Sequence, residues 1–139
     1  MGKLHVAVDL DGTITAAPKK FAKLLADLHD GGEKVTVLTG GNPDTDVDAK
    51  KELLEECGCD GAYDDLVIVD QGQVAENKAE WCKENDVDVF VDNNLANAGT
   101  VLASGHVPLV LVALTDDTKD VRARQAVELL RARLVETGA

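Results

Sequence analysis

Five short Val- and Leu-rich runs alternate with helical patterns along this chain, and that alternation limits the fold more than any other feature. The runs are Leu4–Leu10, Lys34–Thr39, Leu66–Asp70, Val87–Asp92 and Pro108–Leu114. Between the first two, Phe21, Leu24, Leu25 and Leu28 repeat at helical spacing after Pro18, and Gly31-Gly32 stop the pattern. Thr45 and Asp48 are expected to cap a second helix, which carries Val47, Leu53 and Leu54 and ends near Gly58. Asn77 and Glu80 have capping-box spacing ahead of Trp81 and Cys82, which puts Lys78 in a first helical turn. Leu95, Ala98 and Leu102 mark a short fourth helix. Ala123, Val127, Leu130 and Leu134 mark a last one, with Arg131 and Arg133 near its end. Strict alternation predicts a parallel sheet with helices on both faces, in an α/β, Rossmann-like class. At 139 residues the chain fits one domain, residues 1–139, with one core.

Aromatic residues are only 3% of the chain and hydrophobic residues 45%, so the core is built from Val, Leu, Ala and Ile. A formal net charge of −12 repels polyanions and argues against a broad nucleic-acid surface, while leaving room for a pocket that takes one phosphate. The cysteines Cys57, Cys59 and Cys82 lack a fourth partner for a structural zinc site and read as free thiols in a reducing compartment. The first ten residues hold no apolar segment of leader length, and no run approaches a membrane span, so the expected address is the cytoplasm. His5, His29 and His106 form no constellation.

In sheets of this class ligands bind beyond the carboxyl ends of the strands. The first strand runs through "VAVDLDGTIT" into Asp9 and Asp11, two acids that repel each other unless a cation or a proton intervenes. The second strand ends in Thr39 before Gly40-Gly41, and the fourth in Asp92, followed by Asn93 and Asn94. Lys78 opens the helix that leads into the fourth strand. Asp9 with Asp92 suits a hard cation such as Mg²⁺, which takes one or two carboxylates plus phosphate and water. Thr39 and Lys78 suit phosphate oxygens, and a carboxylate beside metal and phosphate is a nucleophile for an aspartyl-phosphate.

"DLDGT", the Thr-ended "VLTGG", a lysine, and "FVDNN", in that order from residue 9 to residue 94, resemble the phosphatase branch of the haloacid dehalogenase (HAD) superfamily. The resemblance implies a HAD-type fold and a Mg²⁺-dependent phosphoric monoester hydrolase. Asp9 would attack phosphorus. Asp11 would protonate the leaving alcohol, then deprotonate the water that cleaves the intermediate. The Asp11 backbone carbonyl would join Asp9 and Asp92 on the metal. Thr39 and Lys78 would hold the phosphoryl group, with Leu10 and Gly40 beside it, and Gly12 would let the chain leave the strand sharply. Dehalogenation is disfavoured, because it has no use for a general acid at Asp11.

Asn93, Asn94 and Asn97 stand where many relatives carry a second acid, which adds no negative charge to the metal site. The gaps after Asp11 and after Asp70 are too short for a cap domain, which needs roughly 50 residues. A capless, open site suits a phosphorylated macromolecule end, or a small phosphorylated substrate if a second subunit supplies the lid. Polynucleotide 3′-phosphatase and nucleotidase activities therefore stay open. So do two readings without turnover: a phosphate-binding relative, and a receiver-like signalling domain with Asp70 as acceptor. Lys83 is the rival to Lys78, and Asp44, Asp46 and Asp48 read as a solvated helix start.

Overall fold

The computed structural model describes residues 3–113 and, beyond them, residues 125, 128, 129, 132 and 133. The chain alternates β1 (His5–Val8), α1 (Pro18–Asp30), β2 (Lys34–Gly41), α2 (Val47–Glu56), β3 (Asp65–Asp70), α3 (Val74–Glu84), β4 (Val89–Asp92), α4 (Leu95–Ala103) and β5 (Leu109–Val112). All strand pairs are parallel, in the order β3-β2-β1-β4-β5. This is the α/β, Rossmann-like architecture that the alternation predicts. The last predicted helix, on Ala123, Val127, Leu130 and Leu134, lies outside the described residues, as does Leu114 at the end of the fifth run.

Strand alternation sorts the core into two layers. Val6, Val8, Val35, Val37 and Val91 pack with Leu25 of α1 and Leu54 of α2. Ala7, Leu38 and Phe90 pack on the other face with Ala79 and Cys82 of α3 and Val101 of α4. His5 is a satisfied core residue: its ring nitrogens lie 2.8 Å from the Thr36 hydroxyl and 2.9 Å from the Asn85 carbonyl.

The local start signals misplace two helices. Neither Thr45 nor Asp48 caps α2; Asp46 is its N-cap residue, and the Asp46 carboxylate accepts from the backbone N–H of Asn42 at 2.8 Å. α3 begins at Val74, three residues before the expected Asn77 cap, with Gln73 at φ 60°. The Asn77 amide instead donates to the Asp70 and Gly72 carbonyls, which closes the preceding turn. Lys78 is thus the fifth residue of α3, not part of an opening turn, and it is buried.

Order and register place the site. β1 is followed by β2 on one side, and the chain returns to lay β4 on its other side, so the strand order reverses between β1 and β4. Such a switch point opens a crevice at the carboxyl ends of the strands. Val8 pairs with Val91, so one residue further Asp9 lies level with Asp92. Phe90, in β4 just before this crevice, is the largest fully buried apolar side chain among the described residues. Phe90→Ala should lower unfolding free energy by about 3–5 kcal/mol, measurable as a lower midpoint in urea at unchanged slope.

Candidate active site

Asp9 shares strand parity with Ala7, and Asp92 with Phe90, so both carboxylates emerge on the face covered by α3. Lys78 comes up from α3 between them, with its ammonium 2.7 Å from Asp9 Oδ1 and 2.8 Å from Asp92 Oδ2. Lys78, Asp9 and Asp92 are only 1%, 5% and 0% exposed. The remaining oxygens are also tied. Asp9 Oδ2 lies 3.0 Å from the Thr13 hydroxyl. Asp92 Oδ1 accepts the Asn94 backbone N–H at 2.9 Å, and Asp92 Oδ2 also accepts the Asn97 amide at 3.1 Å.

Thr39 has the opposite parity and faces α2. There its hydroxyl lies 3.2 Å from Asp11 Oδ2, which also pairs with Lys50 of α2 at 2.6 Å. The Asp11 side chain is 56% exposed and that of Lys50 16%, so solvent reaches the acid end of this pair. The turn Leu10–Ile14 makes this split. Gly12 sits at φ 81°, and a Cβ there would press on the Asn93 amide at 2.6 Å. Leu10 is fully buried beneath the turn.

The sequence-derived residues thus form two clusters, one from each face of the sheet, which meet at one cleft of about 210 Å³. Asp9, Asp11, Thr39, Gly40, Lys78 and Asp92 line it; Leu10 does not. A larger hollow of about 370 Å³ between α3 and α4 holds the rival Lys83 and none of these residues. Asp70 is exposed and accepts from the Gly72 N–H at 2.8 Å, as a turn residue does. Lys50, Thr13, Gln71 and Val74 were missed. Lys50 stands 39 residues from Asp11, and only chain folding brings the two together; Thr13 closes the DLDGT stretch itself, but as a neutral hydroxyl it carries no charge to single it out. Gln71 and Val74 border the Asp70 turn and showed no charge pattern.

Burial pushes the Asp9 carboxyl up to about 6; the Lys78 ammonium pulls against that shift, and the Asp92 carboxylate adds to it. Burial alone would lower the Lys78 ammonium, but Asp9 and Asp92 outweigh it and hold it above its ordinary value. One cation balances one carboxylate in this dry cluster, and the second negative charge is the expensive one. The thiols play no part: burial raises Cys57 and Cys59 above the ordinary thiol value and Cys82 to about 12.

Among the described residues, no three His, Cys, Asp or Glu side chains form a cage able to hold a metal alone. Mg²⁺ does not require one, since it keeps water and phosphate oxygens beside one or two carboxylates. Asp9 and Asp92 around one ammonium carry a net charge of about −1, which a divalent cation complements. The donor set therefore fits Mg²⁺ at Asp9 and Asp92. The Asp11 side chain is engaged with Lys50 and Thr39.

No protein-family model matches this chain, and neither does any curated protein. Solved structures match in fold. A universal stress protein in complex with cAMP shares 18% identity over 81% of this chain and 98% of its own, at a TM-score of 0.53. The core domain of a protein assigned as a phosphoglycolate phosphatase, from Streptococcus pneumoniae TIGR4, shares 15% identity over 90% and 97%, at 0.52. A universal stress family protein from Burkholderia pseudomallei shares 21% over 79% and 96%, at 0.50. At such identities the likeness is one of fold, and it spans two groups of proteins. No helix among the described residues is long and apolar enough to cross a membrane.

Two substitutions should move stability in opposite directions. Lys78→Met leaves two buried carboxylates without a cation and should cost about 3–5 kcal/mol. Asp9 titrates near 3.8 when unfolded and near 6 when folded, so the folded chain binds the extra proton between those values. The stability linked to that proton is full at low pH and is lost as pH rises through 6. At 1.36 kcal/mol per unit, the ionised carboxylate destabilises the fold by roughly 2–3 kcal/mol above pH 6. Asp9→Asn should therefore be more stable than the parent at pH 8 without divalent ions, and equal to it below pH 4, in urea melts.

Proposed function

We propose that this chain is a Mg²⁺-dependent phosphomonoester hydrolase of the HAD type, working through an aspartyl-phosphate on Asp9. The observation that carries the reading is the buried Asp9–Lys78–Asp92 cluster at the switch point, facing Asp11 and Thr39 across one cleft. The neighbouring phosphatase core domain supports it through fold.

Lys78 and Thr13 hold the Asp9 carboxylate in one orientation at the cleft. The carboxylate attacks phosphorus as the ester P–O bond breaks, and protonated Asp11 delivers its proton to the leaving oxygen. Asp11, now ionised, takes a proton from the water that attacks the acyl phosphate. The bond from phosphorus to Asp9 breaks, which restores the carboxylate and releases inorganic phosphate. Asp11 reaches these stations because its side chain is half-exposed and tethered only by Thr39 and Lys50. When bound, Mg²⁺ supplies positive charge to the phosphoryl oxygens. Phosphoryl transfer needs alignment and charge neutralisation above all, and a preset carboxylate beside an ammonium provides both.

The receiver-like alternative needs Asp70 beside the acid pair. β3 is an edge strand, and β2 separates it from β1, so Asp70 is out of reach. The cAMP-bound neighbour favours a second reading, a nucleotide-binding module without turnover. Against it, no aromatic side chain lines the cleft among the described residues, so a base has no stacking surface there.

The test is phosphate release from an aryl phosphate, with Mg²⁺ and with chelator, in the parent and in Asp9→Asn. Turnover should require Mg²⁺ and fall at least about a thousandfold in Asp9→Asn, as expected when a nucleophile is removed. Turnover that persists in the variant or in chelator would sink the mechanism.

A further inference from the structure

The cleft carries a charge balance that restricts its substrate, on the reading of the site given above. Its two nearby cations are both committed. The Lys78 ammonium is bonded to Asp9 and Asp92, and the Lys50 ammonium to Asp11. Three carboxylates against two ammonium groups leave a net charge of about −1 before any substrate enters, in a protein whose formal net charge is −12. A single Mg²⁺ and one phosphate dianion together add nothing to that sum. No further cationic side chain lines the cleft among the described residues, so a second anionic group on the substrate would find no partner.

The rest of the wall is neutral and polar. Gln71, Asn93, Asn94 and Asn97 bring four carboxamides to the cleft, with Val74 as its one sizeable apolar group. Several of their polar atoms have no role in holding the fold. Asn94 Oδ1 caps α4 through the Asn97 N–H, while its NH₂ makes no bond among the described residues. Asn93 Oδ1 meets the Thr13 hydroxyl, and Asn97 Nδ2 is bonded to Asp92, which leaves the Asn97 carbonyl oxygen as an acceptor. Neutral donors and acceptors side by side match hydroxyl groups, which both give and take hydrogen bonds. Gln71 is close enough to Gly40 that any side chain at position 40 would collide with it and Val74. The cleft's volume of about 210 Å³ falls below the roughly 300–1,000 Å³ of drug-sized sites.

We infer that the substrate is a small polyol monophosphate, a short hydroxylated chain or sugar with one phosphate and no second charge. Glycerol 3-phosphate and 3-phosphoglycerate test this directly, because they share one carbon skeleton and differ by a hydroxymethyl against a carboxylate. The purified full chain with Mg²⁺ should show kcat/KM at least about tenfold higher for glycerol 3-phosphate, the factor expected when a charge lacks a partner. It should also prefer glycerol 3-phosphate to a nucleoside 5′-monophosphate. Gln71→Lys supplies the missing cation and should reduce the glycerol-to-carboxylate ratio by about tenfold, with the aryl phosphate rate as an internal reference. Equal or better turnover of the carboxylate or the nucleotide by the parent overturns the inference alone, provided the aryl phosphate is hydrolysed. An unchanged ratio in Gln71→Lys also overturns it. Absence of phosphate release from every compound, the aryl phosphate included, overturns the phosphatase reading and this inference together.

Discussion

A single buried ammonium between two buried carboxylates sets the terms for this structure. Lys78 touches Asp9 and Asp92 at hydrogen-bond distance, and none of the three has appreciable contact with water. Charges this dry are tolerated only when paired and hydrogen-bonded. Every oxygen of the two acids has such a partner, from Lys78, from Thr13, or from the amides that open α4. The arrangement still contains one negative charge more than it balances. A protein selected for stability alone gains nothing from that excess, which marks the cluster as a candidate functional site.

The fold makes the cluster by parity and order together. Parity sends Asp9 and Asp92 to the α3 face and Thr39 to the α2 face. The strand order brings β1 and β4 side by side although 80 residues lie between Val8 and Val89. The cleft is therefore a seam where two half-sites meet. The α3 half is buried, with Asp9 bonded to Lys78. The α2 half is half-exposed, with Asp11 held by a surface pair. This division suits a carboxylate that must be aimed and a second one that must carry protons in and out.

Among the described residues no inserted domain stands near the site, which gives the short loops more weight. Gln71 and Val74 come from the turn between β3 and α3, and the asparagines from the turn between β4 and α4. Among the described residues these turns and Gly40 are the walls of the cleft beyond Asp9, Asp11, Thr39, Lys78 and Asp92. The amides after Asp92 look like a weakened metal site when read from sequence. In the structure Asn94 caps α4 and Asn97 steadies Asp92, so they support the acid from behind while lining the cleft in front.

Much of this protein is legible in the chain itself. Five Val-rich runs separated by amphipathic stretches determine the parallel, two-sided sheet, because only that arrangement buries continuous apolar strands. Asp9, Asp92 and Thr39 could be singled out because they end strands at the edge where this class of sheet binds ligands, and Lys78 through its place in the motif order. Local capping patterns at Asn77 and Thr45 misled, since a side chain can satisfy a turn as readily as it caps a helix, and the choice depends on neighbours. The tertiary structure alone decided that Lys78 is buried between two carboxylates and that Lys50 reaches Asp11. Those facts depend on register and strand order, which bring together residues far apart in the chain, and no local pattern encodes a distance across a sheet.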